Sequence, residues 1–301
     1  MYYQHYILDI LDMKILSRLL NNCRKPDRQI GMELGISGGA VGSRISKMEK
    51  LGIIEKFCLK VEPPLLGLNM FYIVVNSQNQ KEIIKNVKLA GMPFTIVPCV
   101  GGNTVIGVIV KEDMEQKIEL LQKLMQDVRV MSVFEADNTK ITHNLTRTDL
   151  EILKQLIENP RKRIEQLSKE TELSTKTINR GLEKLENNES IQFTLVFDPS
   201  KIEGFLCYAV VAVTQEDISK MLKRFEKEFS EDYLMIPFLA KNQIVLFLYS
   251  DSIFKMDEMT EKIAKVEGTI TTELFIPKKI DMPEKWLERR LETLTNSETL
   301  H

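Results

Sequence analysis

The sequence predicts an α+β fold in which two winged helix-turn-helix domains alternate with two ferredoxin-like βαββαβ domains. Three observations support this prediction. The 301-residue chain repeats itself at an offset of 137 residues, each repeat opens with three short amphipathic helical patterns, and each continues with alternating strand and helix patterns. We therefore expect two copies of one unit that contains two domains.

The repeat aligns two segments of the chain without a gap. Residues 12–16 (Asp-Met-Lys-Ile-Leu) match residues 149–153 (Asp-Leu-Glu-Ile-Leu), and Gly67 and Gly204 keep the same offset. The alternative is a chance alignment of two generic amphipathic helices. A match of this length without gaps favours a duplication over that alternative.

A helix-turn-helix is predicted at the start of each repeat. In the first copy an amphipathic helix, a basic turn and a short helix lead to Gly35, which fits a left-handed helix end. Ser37, like Ser174 in the second copy, is a natural N-cap of the third helix. Residues 53–61 and 191–197 follow, and we expect each to form a short β-hairpin wing.

The second part of each repeat alternates strands and helices in the order βαββαβ. This order is typical of the ferredoxin-like arrangement, an antiparallel sheet with two helices on one face. Apolar residues Leu287, Leu291 and Leu294 then form a stripe on a predicted tail helix beside Trp286. The predicted domains are a first winged helix-turn-helix at 1–64, a first ferredoxin-like domain at 65–142, a second winged helix-turn-helix at 143–201, a second ferredoxin-like domain at 202–280, and a C-terminal helix and tail at 281–301.

The composition of the chain and the motifs that it lacks argue against several classes of protein. No apolar run is long enough to cross a membrane and no signal-peptide pattern opens the chain, so we expect a cytoplasmic protein without a membrane partner. The four cysteines form no CxxC pair, which favours free thiols. His5, His143 and His301 are scattered, and no catalytic or phosphate-binding motif is present. We therefore expect no enzyme activity, no cofactor and no metal ion.

Two motifs of the first repeat carry a family resemblance. They are Leu8-Asp9-x-x-Asp12-x-x-Ile15-Leu16 and the stretch from Leu34-Gly35-Ile36-Ser37 to Gly52-Ile53-Ile54. With the βαββαβ order they resemble the Lrp/AsnC (feast/famine) family of transcription regulators. The second copy matches less closely because Gly181 stands at the position of Arg44. The resemblance implies double-stranded DNA as the partner, pairing through the βαββαβ domains, and a small-molecule effector at their interface.

The third helix of each repeat is predicted to enter the major groove of DNA. Once its apolar face is turned inward, polar and basic residues remain on the outside, with Lys56 on the following strand. The predicted DNA-binding residues are Gly38, Gly39, Ser43, Arg44, Ser46, Lys47, Lys56, Thr175, Lys176, Thr177, Arg180 and Lys184. For Arg44 two roles stay open, a bidentate contact to guanine or an ion pair with Asp12.

The effector site implied by the family lies at a glycine-containing β-hairpin turn that an aspartate follows. Here the turn consists of Gly101, Gly102, Asn103 and Thr104, without the aspartate, so an amino-acid effector is not expected. The alternative is a plain tight turn. The corresponding residues 240–243 of the second copy lack both features.

Local charge distinguishes the two helix-turn-helix segments. Residues 8–62 carry ten basic and seven acidic residues (+3), whereas residues 145–199 carry nine and ten (−1). Because DNA affinity depends on neutralising phosphates, the second copy is expected to bind more weakly. The alternative is a second copy with a structural role only.

Two other functions and two assemblies remain as alternatives. A sirohaem decarboxylase has a similar fold, and a co-regulator would act without binding DNA. Because the second unit is already on the chain, its sheet is expected to pair internally and form a pseudo-dimer. The tail helix would then lock this pseudo-dimer or join two chains into a homodimer, and we expect the homodimer.

Overall fold

The computed structural model describes residues 7–77, 79–111, 113–126, 128–135 and 145–296. The first helix-turn-helix contains α1 (Ile10–Asn21), α2 (Asp27–Leu34) and α3 (Gly38–Lys50), followed by strand β1 (Ile54–Val61). Asp9 and Asp12 form a reciprocal capping box at the start of α1, in which each carboxylate accepts a hydrogen bond from the other residue's backbone N–H. Gly35 ends α2 at φ 71°, as the sequence predicted.

The first four-stranded sheet has the ferredoxin-like topology. Its strands occur along the sheet in the order β3-β4-β2-β5, and every neighbouring pair is antiparallel. Two helices cover one face through a core that includes Phe71, Ile83 and Leu121. The elements are β2 (Asn69–Asn76), α4 (Gln80–Ala90), β3 (Met92–Pro98), β4 (Asn103–Val110), α5 (Met114–Leu124) and β5 (Arg129–Phe134).

The second repeat has the same order of elements. Its sheet order, β8-β9-β7-β10, matches the first sheet strand for strand, which confirms the predicted α+β fold class and its duplication. The helices are α6 (Arg147–Glu158), α7 (Ile164–Thr171), α8 (Thr175–Glu186), α9 (Ile218–Phe229), α10 (Ile253–Ala264) and, after the sheet, α11 (Lys285–Asn296). The strands are β6 (Ile191–Phe197), β7 (Leu206–Thr214), β8 (Tyr233–Ala240), β9 (Gln243–Ser250) and β10 (Thr269–Phe275).

The prediction of a β-hairpin wing in each repeat was wrong. Each segment forms a single strand, and β1 pairs antiparallel with β6 from the other repeat, with Phe57 opposite Leu195 and Val61 opposite Ile191. Both strands thereby satisfy backbone groups that an isolated strand would leave unpaired. This two-stranded ribbon joins the two helix-turn-helix units directly.

Each helix-turn-helix packs on the sheet of the other repeat. Apolar residues of α1, among them Leu16, share a core with Cys207 and Leu234 of the second sheet. The hydroxyl of Ser17 donates a hydrogen bond to the carbonyl oxygen of Tyr233 (3.2 Å). The second helix-turn-helix in turn shares a core with Met70 of the first sheet. Because each unit packs on the other repeat's sheet, the two repeats interlock.

The uncovered faces of the two sheets pack against each other within the chain. Tyr72 of β2 stacks on Phe134 of β5 (5.2 Å between ring centroids) and meets Phe238 of β8 edge-on (5.0 Å). Beside these rings, Val74 of the first sheet lies in one buried cluster with Val211 of the second. The sheet pairing expected between the two units of one chain is therefore present.

The tail helix closes the molecule rather than offering a surface to a second chain. Trp286, Leu287 and Leu291 are buried against the second helix-turn-helix and the first sheet. Arg290 Nε also donates a hydrogen bond to the carbonyl oxygen of Leu66 (2.9 Å). Of the two roles expected for this stripe, it locks the pseudo-dimer, and the favoured role of joining two chains is wrong, because its apolar residues are covered inside one chain.

Candidate nucleic-acid interface

The two recognition helices, α3 and α8, each bury one apolar face and expose the opposite face. Their N-caps are Ser37 and Ser174, whose hydroxyl oxygens accept hydrogen bonds from the N–H groups of Ala40 and Thr177 (3.1 Å each). The buried residues are Val41, Ile45 and Met48 in α3, and Ile178, Leu182 and Leu185 in α8. The predicted DNA-binding residues that lie exposed are Gly39, Ser43, Ser46 and Lys47 in α3, and Thr175, Lys176 and Arg180 in α8, while Thr177 is half-buried.

Arg44 points back to α1 instead of outward. Its guanidinium forms ion pairs with Asp12 Oδ1 (2.6 Å) and Asp9 Oδ2 (2.9 Å), and the side chain of Asp12 is fully buried. The hydrogen bond to Asp12 is the main cause that raises the pKa of Arg44. Burial opposes the charge of Asp9, but hydrogen bonds from Asp12 N–H and Arg44 hold the pKa of Asp9 below its usual value. Of the two roles left open by the sequence, the geometry favours the ion pair.

In the second unit, a lysine rather than an arginine pairs with the buried aspartate. Asp149, the counterpart of Asp12, closes a capping box with Thr146 and pairs with Lys184 Nζ at 2.5 Å. Gly181 stands at the position of Arg44, and a Cβ there would lie 2.5 Å from Ile152 Cδ1, so a larger residue would require the Ile152 side chain to shift. Lys184, predicted as a DNA contact, therefore holds α8 against α6.

The glycines of α3 differ in what they permit. A Cβ on Gly38 would lie 2.9 Å from the Cα of Arg28, so this glycine allows α2 and α3 to approach each other. A Cβ on Gly39 would have its nearest neighbour at 3.9 Å, the Ser37 hydroxyl oxygen. Close approach to DNA was predicted for both, and the space in front of the helix is open only at Gly39.

Lys56 is held by the C-terminal segment. Its Nζ pairs with Glu284 Oε2 at 2.7 Å, just ahead of α11. A contact to a phosphate would compete with this ion pair. The sequence could not reveal it, because 228 residues separate the partners.

Arginines of the two basic turns clamp the helix-turn-helix units together. Arg24 pairs with Glu186 (3.1 Å) and donates to the carbonyl oxygens of Pro160 (2.6 Å) and Lys162 (3.1 Å). Its counterpart Arg161 pairs with Asp27 (3.0 Å). Each guanidinium also lies over an aromatic ring of the ribbon, Arg24 over Phe193 and Arg161 over Phe57. With the β1–β6 ribbon these contacts fix the spacing of α3 and α8.

The predicted effector turn is held by contacts within the chain. Gly101 and Gly102 adopt positive φ (80° and 88°), and Asn76 Nδ2 donates hydrogen bonds to Gly101 O (3.1 Å) and Asn103 Oδ1 (2.6 Å). Thr104 is buried in the sheet, and its hydroxyl oxygen has no hydrogen-bond partner among the described residues. Gly101 alone of the four is exposed. The tight turn accounts for both glycines, and an effector there stays a prediction.

Sequence reasoning missed two exposed polar residues on the outer face of α8. Asn179 and Glu183 lie on the same face as Lys176 and Arg180. Asn179 Nδ2 donates to the backbone oxygen of Thr175 (3.0 Å). The signal was available, because residues three and four apart on a helix are neighbours.

All three histidines lie outside the described ranges. Within those ranges no cluster of three or more His, Cys, Asp or Glu side chains is arranged to hold a metal ion. No helix there has the length and apolar character that a membrane span requires.

Comparison with known proteins identifies the family. The model of the AsnC-type helix-turn-helix domain matches residues 8–49, and a model of winged helix-turn-helix DNA-binding domains matches residues 145–192. An uncharacterised HTH-type transcriptional regulator of Pyrococcus furiosus is 30% identical over 147 residues, which cover 48% of this chain and 97% of that protein. The chain belongs to the Lrp/AsnC family. It holds two family units, since a nearly complete relative corresponds to about half of it.

Two further proteins align with different fractions of this Lrp/AsnC chain. The HTH-type transcriptional regulator Ptr1 of Methanocaldococcus jannaschii is 43% identical over 68 residues, 23% of this chain and 46% of that protein. The solved structure of the siroheme decarboxylase NirDL covers 94% of this chain and 99% of its own, with 15% identity and a TM-score of 0.48. A TM-score below 0.5 at that identity identifies no function.

Proposed function

We propose that the chain is a sequence-specific DNA-binding transcription regulator and that it has no catalytic activity. The observation that carries the proposal is the pair of capped recognition helices, α3 and α8, whose polar faces are exposed on two units of fixed spacing. A recognition helix reads the major groove with its N-terminal half, and its free N–H groups favour phosphate. The duplication supplies two such helices on one chain.

Electrostatics supports the same function despite the net charge of −2. The excess of basic residues in the first helix-turn-helix segment places positive charge locally, where it can neutralise phosphates. DNA affinity from such contacts falls as salt is added. The logarithm of the binding constant falls against the logarithm of the salt concentration with a slope of about −0.9 for each phosphate neutralised.

The test is fluorescence anisotropy of a labelled mixed-sequence duplex titrated with the full chain. We expect binding at about 50 mM salt that weakens steeply by about 200 mM salt. Absence of binding at the lower salt concentration would refute the proposal and favour a co-regulator that acts without DNA.

A small-molecule effector at the turn formed by Gly101–Thr104 is a separate part of the proposal. A pool of metabolites that changes the anisotropy titration of the full chain would support it. Equal titrations with and without the pool would leave the turn a purely structural feature.

The enzymatic alternative predicts a different property. A protein that decarboxylates sirohaem must bind an iron tetrapyrrole. The visible absorption spectrum of added tetrapyrrole is expected to stay unchanged when the full chain is present, and a shifted absorption band would contradict the proposed function.

A further inference from the structure

We propose that the two recognition helices of one chain have different tasks, with α8 reading base edges and α3 anchoring the DNA backbone, so that the DNA site is not palindromic. This inference rests on the proposed DNA-binding function. It depends on which side chains the two helices expose at equivalent positions.

The offset of 137 residues compares the two outer faces position by position. Gly39 corresponds to Lys176, Gly42 to Asn179, Ser43 to Arg180 and Ser46 to Glu183. At all four positions α3 has a side chain of at most two heavy atoms, whereas α8 has a long polar one. Two recognition helices with the same exposed side chains would bind two identical half-sites. The exposed faces of α3 and α8 differ, so we expect different half-sites.

The outer face of α8 contains side chains with the hydrogen-bonding groups that base edges require. Arginine pairs with guanine, asparagine with adenine, and glutamate accepts from cytosine N4. All four residues from Lys176 to Glu183 in this set are exposed. Within the described part of the chain, Lys176, Arg180 and Glu183 form no ion pair and no side-chain hydrogen bond, and the side chain of Asn179 donates one hydrogen bond, to the backbone oxygen of Thr175. They are therefore available to DNA.

Apart from Lys47, whose ammonium suits a phosphate, the outer face of α3 lacks comparable reach. Its one guanidinium, that of Arg44, is engaged by Asp9 and Asp12. Gly39 has open space in front of it, so the helix start can approach the DNA backbone, where N–H groups bind phosphate. The unit also carries the local excess of positive charge, +3 against −1 for the second. These features provide affinity without reading sequence.

The two helix-turn-helix units are joined to each other, and we therefore expect both recognition helices to bind the same duplex. The β1–β6 ribbon and the Arg24–Glu186 and Arg161–Asp27 ion pairs connect them. One chain therefore presents one reading helix and one anchoring helix at a constant spacing. In the DNA site that we expect, the base pairs that determine specificity lie in the half that α8 contacts.

The experiment begins with the full chain and a library of duplexes that contain about 30 randomised base pairs, enough for two half-sites a helical turn apart. Binding to the selected duplex and to a scrambled duplex of equal composition is then measured for matched variants. Asn179→Ala and Arg180→Lys both leave the net charge unchanged, and Arg180→Lys removes the planar fork that pairs with guanine. Ser43→Ala with Ser46→Ala is the corresponding change on α3, and Lys223→Ala on α9 is the distant control.

We expect each α8 variant to reduce the ratio of selected to scrambled affinity by about tenfold, the loss of one good base contact. Any loss from the α3 variant should fall equally on both duplexes, and Lys223→Ala should change neither. A palindromic selected motif, or a ratio that falls with the α3 variant and not with the α8 variants, would overturn the inference while DNA binding stands. Failure of the full chain to bind any duplex would overturn the proposed function as well.

Discussion

A buried aspartate behind each recognition helix shows how single residues position the reading surface. Asp12 and Asp149 occupy equivalent places, close equivalent capping boxes, and neutralise different cations, Arg44 and Lys184. The sequence indicated both aspartates and both cations. For Arg44 it left an ion pair and a base contact open, and for Lys184 it predicted only a DNA contact, because the pairing depends on the distance between helices that are far apart in the chain.

Replacing Arg44 by alanine tests its structural role. The change leaves the buried carboxylate of Asp12 without its cation, so we expect the free energy of unfolding to fall by about 1–3 kcal/mol. Urea denaturation measures this loss, with Lys50→Ala on the exposed end of α3 as the control. Unchanged stability together with lost discrimination between DNA sequences would instead assign Arg44 to base reading.

The four cysteines provide a second test at the residue scale. Burial raises the pKa of each thiol, of Cys23, Cys58, Cys99 and Cys207, to about 12. Because the unfolded thiols ionise near about pH 8.5, their contribution to stability is present below that pH and is lost as pH rises toward the folded pKa. We expect no thiol to react with a disulfide reagent at pH 8 until denaturant is added. Rapid reaction of one thiol in the folded chain would contradict the burial.

At the scale of elements, the sequence predicted helices more completely than strand partners. The helix over Gln80–Ala90 and the glycine end of α2 follow from local periodicity and backbone preference. The pairing of β1 with β6 does not, since no local signal links residues 54–61 to residues 191–197. Alternating apolar residues fit a hairpin wing and an inter-repeat ribbon equally well.

Arg24 is the residue on which the clamp between the helix-turn-helix units depends most. Replacing it by alanine removes the Glu186 ion pair and two hydrogen bonds to carbonyl oxygens. We expect a loss of about 2 kcal/mol in the free energy of unfolding. Lys154→Ala, on the exposed face of α6, is the matched control, and equal stability of the two variants would show that the ribbon alone joins the units.

At the scale of the whole molecule, one chain contains the pairing of the two sheets that its duplication led us to expect. The sheets pack face to face through Tyr72 and Phe238, and α11 covers the second helix-turn-helix with Trp286. The repeat predicted the sheet pairing, because both partners are on one chain. The packing partner of α11 could not be predicted. An apolar stripe indicates that the helix packs against another surface, but it does not identify that surface.

Trp286 tests whether α11 is an integral part of the molecule. It lies in one core with Phe94 of β3, with the two ring centroids 6.3 Å apart. Trp286→Ala is expected to lower the free energy of unfolding by about 3 kcal/mol. The control Leu294→Ala removes a partly buried residue of the same helix and should cost less. An unaffected midpoint of urea denaturation for Trp286→Ala would show that α11 does not hold the fold together.

We expect one chain to act as a complete DNA-binding unit with two recognition helices. Native mass spectrometry of the full chain, alone and with a bound duplex of about 30 base pairs, tests this most directly, because such a duplex can hold two half-sites a helical turn apart. We expect the mass of a single chain without DNA, and the mass of one chain plus one duplex when DNA is present. A complex that contains two chains on one duplex, or a chain that is already dimeric without DNA, would contradict it.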